Sequence, residues 1–180
     1  MNKDIYPKWL GKHILNDSFS WDKSTRTTFP VLLEQITLHD SQWYTTFFEM
    51  DNSLVMVIEL DAVWNKEFCY NSEEWPFLII RFNNVLCTFS NFNRDDYPVK
   101  TISSAETSII DNIKFNSWYN SAKDLGILSK PFYERDSKNI IIHRTEIDTI
   151  YSGTSTFFHA VLIETLFYSN MGQLLPIQLP

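Results

Sequence analysis

The sequence predicts a β-rich α+β fold, in which an antiparallel sheet built from hairpins is accompanied by one or two short helices. Apolar residues alternate along the run from Leu54 to Leu60, and turn-forming residues separate this run from its neighbours. Aromatic residues are 16% of the 180 residues, and aromatic side chains favour strands. We expect a single domain over residues 1–180, because this length is ordinary for one domain and no linker or repeat divides the chain.

The first half of the chain predicts a helix followed by two hairpins. In TTFPVLLEQI, Thr28 precedes Pro30, which is typical of a helix start and predicts one or two helical turns that lead into the first strand. Residues 42–61 predict a hairpin, since DNS is a turn signal between QWYTTFFEM and LVMVIELD. A second hairpin is predicted after Pro76, where two asparagines separate PFLIIRF from VLCTFSNF.

The second half predicts a short helix and two strands. The helix has its cap, its apolar face and its C-terminal glycine at Asn116, Trp118, Ala122, Leu125 and Gly126. A strand is predicted at 139–147 and a turn at 151–155. The run TFFHAVLIETLFY at 156–168 fits a strand or a helix, and we favour a strand because a turn signal precedes it.

Negative charge is concentrated in one segment. Between Thr27 and Ile80 a single basic residue, Lys66, accompanies nine acidic residues, so this segment carries −8 in a chain whose total is −7. The nine are Glu34, Asp40, Glu49, Asp51, Glu59, Asp61, Glu67, Glu73 and Glu74. We expect an acidic surface, which disfavours nucleic acid and anionic membranes as partners and favours a basic protein. A solubilising surface without a partner is the alternative.

No motif indicates a catalytic chemistry. Four glycines in all are too few for a dinucleotide-binding fingerprint or a P-loop, and no serine lies in a GxSxG motif. Neither Cys69 nor Cys87 belongs to a CxxC pattern. We interpret His39 and Asp40 as the start of a strand, where adjacent side chains point to opposite faces, and not as a catalytic pair.

We therefore expect no catalytic residue, no metal site and no cofactor. The histidines never occur as HxH, HxxxH or HExxH. A small metal-dependent or hydrolytic enzyme that uses His39, His143 or His159 stays open as a minor alternative. Two cysteines and no apolar run near the roughly 18 residues that span a bilayer favour a cytoplasmic protein without a membrane partner.

Two predicted loops combine aromatic and acidic side chains, which suits a surface that binds a cationic protein. They are NKEFCYNSEEWPF at 65–77 and NRDDYP at 93–98. The candidate partner-binding residues are Glu67, Tyr70, Glu73, Glu74, Trp75, Asp95, Asp96 and Tyr97. The alternative is an ordinary polar loop in which Trp75 packs into the core.

The stretch from Leu38 to Phe89 resembles small bacterial proteins in which an LHDS start precedes a hairpin and an LxFxNV strand. Here the matching residues are LHDS at 38–41 and those of WPFLIIRFNNVLCTF at 75–89. Some of these proteins are immunity proteins encoded beside polymorphic toxins. The resemblance implies an immunity protein of the contact-dependent growth inhibition type, which binds a cognate toxin domain, such as a nuclease, and blocks or distorts its active site. An adaptor with a different partner is the alternative.

Overall fold

The computed structural model describes residues 6–16, 18–51, 53–68, 75–91, 99–110, 113, 117, 120–121, 124–125 and 142–177. These residues contain two named α-helices, α1 (Lys8–Asn16) and α2 (Phe29–Gln35), and a 3-10 turn at Trp21–Lys23. The strands are β1 (Thr25–Thr28), β2 (Gln42–Phe48), β3 (Leu54–Glu59), β4 (Phe77–Phe82), β5 (Cys87–Ser90), β6 (Lys100–Ile110), β7 (Ile142–Thr149), β8 (Gly153–Ala160) and β9 (Leu162–Tyr168).

The strands form one sheet in the order β1-β9-β4-β3-β2-β6-β7-β8-β5. Each neighbouring pair is antiparallel, so the predicted β-rich α+β fold is confirmed. β2 and β6 are paired only through Gln42 with Thr101 and Trp43 with Lys100. This narrow junction divides the sheet into a first half (β1, β9, β4, β3, β2) and a second half (β6, β7, β8, β5).

The central strands of the first half, β3, β4 and β9, are buried on both faces. On one face, Met56 and Ile58 belong to a core cluster that includes α2 and the second half, where the rings of Phe82 and Phe157 stack with centroids 5.6 Å apart. On the other face, Val55 belongs to a cluster with Leu10 of α1. Burial on both faces explains why β3 and β4 have long apolar runs instead of a strict alternation.

The predicted helix at 28–35 is confirmed as α2. The side chain of Thr28 accepts a hydrogen bond from the backbone N–H of Val31, and Pro30 lies in the first turn, where a missing N–H costs little. The helix follows the first strand, β1, instead of leading into it. No strand was predicted at residues 25–28, since four polar residues show no apolar alternation.

Helix α1, which was not predicted, is fixed by an aromatic contact with the C-terminal segment. The Trp9 indole stacks on Tyr168 with ring centroids 5.4 Å apart and donates to the carbonyl of Asn170 at 2.9 Å. Gly172 has a φ of +78°, and a Cβ at this position would lie 2.5 Å from Cγ of Trp9. A glycine is therefore required for α1 to pack here.

The first predicted hairpin is confirmed and the second is wrong. β2 and β3 pair through a turn in which the Asp51 carboxylate accepts from the backbone N–H of Ser53 at 2.9 Å. β4 pairs with β3 on one side and β9 on the other, whereas β5 pairs with β8. Asn84 does turn the chain, with a φ of 50°, but both edges of β4 are occupied, so the chain crosses into the second half.

The run at 156–168 forms strands, as predicted, but not a single one. β8 and β9 are separated by a bend at Val161 and lie in different halves of the sheet. The turn before β8 occupies residues 150–152, and Gly153 begins the strand with a φ of 105°. Thirteen residues exceed the usual strand length of roughly 3–10, which favours this break.

The predictions for the rest of the second half of the chain are met in part. β7 confirms the strand predicted at 139–147 over its described part and extends it to Thr149. Ser117, Asn120, Ser121 and Asp124 are helical, while the predicted cap and the C-terminal glycine of that helix lie outside the described residues. Ile113, before the predicted cap, is helical too, and Leu125 of the predicted apolar face is 74% exposed. β6 was missed, because its SSAET centre has little apolar alternation. None of the helices in the described residues is long and apolar enough to span a membrane.

Candidate partner-binding surface

Two of the eight predicted partner-binding residues lie in the described part of the chain. Glu67 is exposed and Trp75 is half-buried. The other six, Tyr70, Glu73, Glu74, Asp95, Asp96 and Tyr97, lie outside the described residues. The structure describes the segment that leads into the first of these loops, residues 61–68.

A capped turn holds residues 61–64 after β3. The Asp61 carboxylate accepts from the backbone N–H of Val63 at 2.8 Å and of Trp64 at 3.2 Å. The backbone N–H of Asp61 in turn donates to the hydroxyl of Ser41 at 3.0 Å. Asp61 is buried, so these bonds are shielded from water and fix the backbone beneath Trp64.

Asn65 ties this turn to the segment after α2. Its side-chain amide donates to the carbonyls of Thr37 and Asp61 at 2.8 and 2.9 Å and accepts from the N–H of Thr37 at 3.0 Å. Phe68 then turns inward and stacks on Phe167, with centroids 5.9 Å apart and an 8° angle between the rings. Phe68 is half-buried and packs against the core.

Trp64 points to solvent from this fixed backbone. It is 54% exposed, and its neighbour Val63 is 65% exposed. The indole N–H of Trp64 donates to Oδ2 of Asp40 at 3.1 Å. A large aromatic ring is thus held in one orientation while most of its apolar surface stays in water.

Asp40 lies in a tight turn, which corrects the predicted strand at His39 and Asp40. Its φ is +61°, and its N–H donates to the carbonyl of Ile102 at 2.9 Å. His39 Nδ1 is 2.7 Å from the carbonyl of Ser103, and His39 Nε2 is 3.5 Å from Oδ2 of Asp40. The two side chains approach each other because the backbone turns here, so the expectation of opposite faces is wrong. We call His39, Asp40, Val63, Trp64 and Glu67 the Trp64 surface.

Several carboxylates of the acidic segment are engaged inside the molecule. Glu59 accepts a hydrogen bond from the Tyr44 hydroxyl at 2.6 Å, and burial raises the pKa of both groups. Asp61 caps the turn described above. Glu49 and Asp51 form ion pairs with Arg81, which follows the acidic segment directly. In the described residues, fewer acidic side chains are therefore available to a partner than the charge of −8 for this segment suggests.

A second tryptophan and carboxylate meet at Arg81, on the sheet face covered by α1. The Trp21 indole N–H donates to Oε1 of Glu49 at 2.9 Å, and Nε of Arg81 lies 2.6 Å from Oε2 of Glu49. These last two atoms are buried and meet as an ion pair without the alignment of a hydrogen bond. The guanidinium carbon of Arg81 lies 5.2 Å from the centroid of the Trp21 ring.

Arg81 also binds Asp51 at 2.7 Å and Glu164 at 3.1 Å. We call Trp21, Glu49, Asp51, Arg81 and Glu164 the Trp21 cluster. Burial lowers the pKa of Arg81, but the three carboxylates raise it more, so the net change is upward. A groove of about 740 Å³ opens beside the cluster and is lined in part by Ser53, Asn83 and Leu162. Each nitrogen of Arg81 lies within 3.1 Å of a carboxylate oxygen, so the charge of this cation is matched inside the molecule.

The histidines of the described residues do not meet in one site. His143 and His159 are opposite each other on β7 and β8, with ring centroids 5.9 Å apart, whereas His39 contacts Trp64 and Ser103. Burial lowers the pKa of His143 and lowers that of His159 to about 4. In the part of the chain that the structure describes, three metal-binding side chains nowhere lie together.

Comparison of the chain with known protein families, with curated proteins and with solved structures found no match.

Sequence reasoning did not identify Trp64, because the predicted loop begins at Asn65, the next residue. A local signal was present: Asp61 stands three residues before Trp64, and an aspartate at the end of a strand commonly accepts from the backbone N–H groups that follow it. The link between Trp64 and Asp40 had no such signal. It joins residues 24 apart and depends on how two turns meet.

Proposed function

We propose that the protein is an immunity protein that binds a cognate toxin domain through the Trp64 surface. The observation that carries this proposal is the exposed Trp64, whose indole N–H is hydrogen-bonded to Asp40. Tryptophan is among the residues that dominate binding energy at protein interfaces, and a ring already held in place loses little conformational entropy when a partner covers it. The resemblance of residues 38–89 to immunity proteins supports a toxin as the partner.

The charge of the chain favours a basic toxin. The net charge is −7, and the Trp64 surface includes the carboxylates of Asp40 and Glu67, with one exposed lysine, Lys66, next to Glu67 in the sequence. A toxin domain that cleaves nucleic acid needs positive charge around its substrate, so an acidic inhibitor gains association rate and specificity from electrostatic attraction. Under this proposal the protein acts in the cytoplasm, needs no cofactor and carries out no catalysis.

Co-expression tests the proposal. The chain is expressed with the open reading frame immediately upstream, and only the upstream product carries a tag. We expect the two proteins to elute together, and we expect the upstream product to be toxic when this chain is omitted. Trp64→Ala should weaken the complex by about 30-fold or more, as for other interface tryptophans.

Phe48→Ala is the matched control. Phe48 is 55% exposed, close to the 54% of Trp64, but it lies at the far end of β2. Its removal should leave affinity and rescue unchanged. Binding without protection from toxicity would favour the adaptor function, and a complex that tolerates Trp64→Ala would exclude the Trp64 surface as its interface.

A further inference from the structure

The Trp21 cluster shows how this chain binds a guanidinium group. An indole N–H fixes one oxygen of a carboxylate, the other oxygen pairs with the cation, and the cation lies over the indole ring. Each part has a physical role. The hydrogen bond orients the carboxylate, the ion pair supplies charge, and the ring face attracts the planar cation.

Trp64 and Asp40 repeat the first part of this arrangement on the surface. The Trp64 indole N–H donates to Oδ2 of Asp40 at 3.1 Å, compared with 2.9 Å between Trp21 and Glu49. His39 Nε2 approaches the same oxygen, and its ring meets Trp64 at 72° with centroids 5.7 Å apart. In the described residues no hydrogen bond or ion pair reaches Oδ1 of Asp40, and no cation lies over the Trp64 ring.

We propose that the Trp64 surface binds an arginine side chain of the partner protein, with the guanidinium over the Trp64 ring and paired with Oδ1 of Asp40. The inference rests on the proposed function and names the chemical group that the toxin presents. It assigns Trp64 and Asp40 a joint role, in which the indole both orients the carboxylate and receives the cation. His39 packs against Trp64 and lies beside Oδ2 of Asp40, and its hydrogen bond to the carbonyl of Ser103 fixes its ring there.

Arginine fits this surface better than lysine does. A guanidinium is planar and weakly hydrated, so it stacks on an aromatic face and keeps N–H groups in its plane for a carboxylate. An ammonium group is compact and strongly hydrated and gains less from the ring. The cation that the Trp21 cluster holds inside the molecule is likewise an arginine.

The tryptophan indole N–H signals in a two-dimensional ¹H–¹⁵N spectrum test this inference on the full-length protein. Trp64→Phe and Trp21→Phe identify the two signals. The protein is then titrated with N-acetyl-arginine amide and, separately, with N-acetyl-lysine amide. We expect the Trp64 signal to shift about threefold more with the arginine compound. The Trp21 signal should stay in place, because Arg81 already covers its ring.

Asp40→Asn is the informative variant. Asparagine adopts positive φ readily and its side-chain oxygen can still accept from Trp64, so the turn is kept and only the charge is lost. The variant should lose the preference for the arginine compound. Glu67→Gln, the charge-matched control on the same surface, should retain it. A Trp64 signal that shifts equally with both compounds, or a preference that persists in Asp40→Asn, would overturn the inference.

The toxin complex separates this inference from the function on which it rests. If the complex forms and neither Asp40→Asn nor Trp64→Phe changes its affinity, binding is established and the arginine site is wrong. If the arginine compound binds Trp64 as expected but the upstream product forms no complex, the guanidinium site is supported and the toxin partner is wrong.

Discussion

The Trp21 cluster and the Trp64 surface contain the same pair of groups in two different roles, one structural and one in binding. In both, an indole N–H binds a carboxylate. In the Trp21 cluster, β4 supplies Arg81 from within the chain, and the charges are largely buried. At the Trp64 surface the pair lies on two turns and the ring is exposed. The comparison teaches that burial and an internal cation make such a pair structural, and that exposure makes it available for binding.

Removal of the internal cation should have the largest effect on stability. Arg81→Met leaves the side chains of Glu49 and Glu164, each 7% exposed, without their shared cation. Breaking a buried ion pair by removal of one partner costs about 3–5 kcal/mol. Because Glu164 keeps its ion pair with Arg26 at 3.2 Å, we expect the free energy of unfolding to fall by an amount at the lower end of this range. Urea unfolding followed by circular dichroism measures it.

Asp40→Asn is the matched change at the exposed pair. Water can replace its contacts, so we expect a loss within about 0.5 kcal/mol. Similar losses in Arg81→Met and Asp40→Asn would refute the division into a structural and a binding pair.

The sequence predicts β2, β3 and β4 of the first half well, because their aromatic and apolar runs are local features. The pairing of strands was less predictable. β4 is flanked by β3 and by β9, and β9 lies about eighty residues further along the chain, so no local pattern could show that β5 is excluded from pairing with β4. The acidic segment was misjudged for a similar reason. The segment ends at Ile80, and the next residue, Arg81, neutralises part of its charge.

Moderate acid should lower the stability of the fold through the buried histidine pair, His143 and His159. An unfolded histidine takes up a proton near its ordinary pKa of 6.5, whereas burial lowers the pKa of His159 to about 4. The unfolded state therefore binds more protons between these values, and stability falls as the pH falls from 6.5 towards 4, by about 2–3 kcal/mol.

His159→Gln should remove most of this pH dependence. His143, whose pKa burial also lowers, retains a smaller part. Urea unfolding at pH 7 and pH 4.5 compares the parent protein, His159→Gln and the exposed control Phe48→Ala, which should follow the parent's slope. An equal slope in His159→Gln would show that other groups control the response to acid.

Replacement of each tryptophan by phenylalanine should have the smallest effect on stability and should best distinguish the roles of Trp21 and Trp64. Phenylalanine keeps an aromatic ring but loses the indole N–H. Trp21→Phe leaves Oε1 of Glu49 without its donor and weakens the contact with Arg81, which should cost about 1–2 kcal/mol of stability. Trp64→Phe should cost less than about 0.5 kcal/mol, because water can hydrogen-bond to Asp40 in place of the indole. For affinity to the proposed partner the order should reverse, with Trp64→Phe weakening the complex and Trp21→Phe leaving it unchanged. Urea unfolding measures the stability of the two variants, and a titration of the complex measures their affinity for the partner. A variant that loses both stability and affinity would show that its tryptophan has both roles, which would contradict the division.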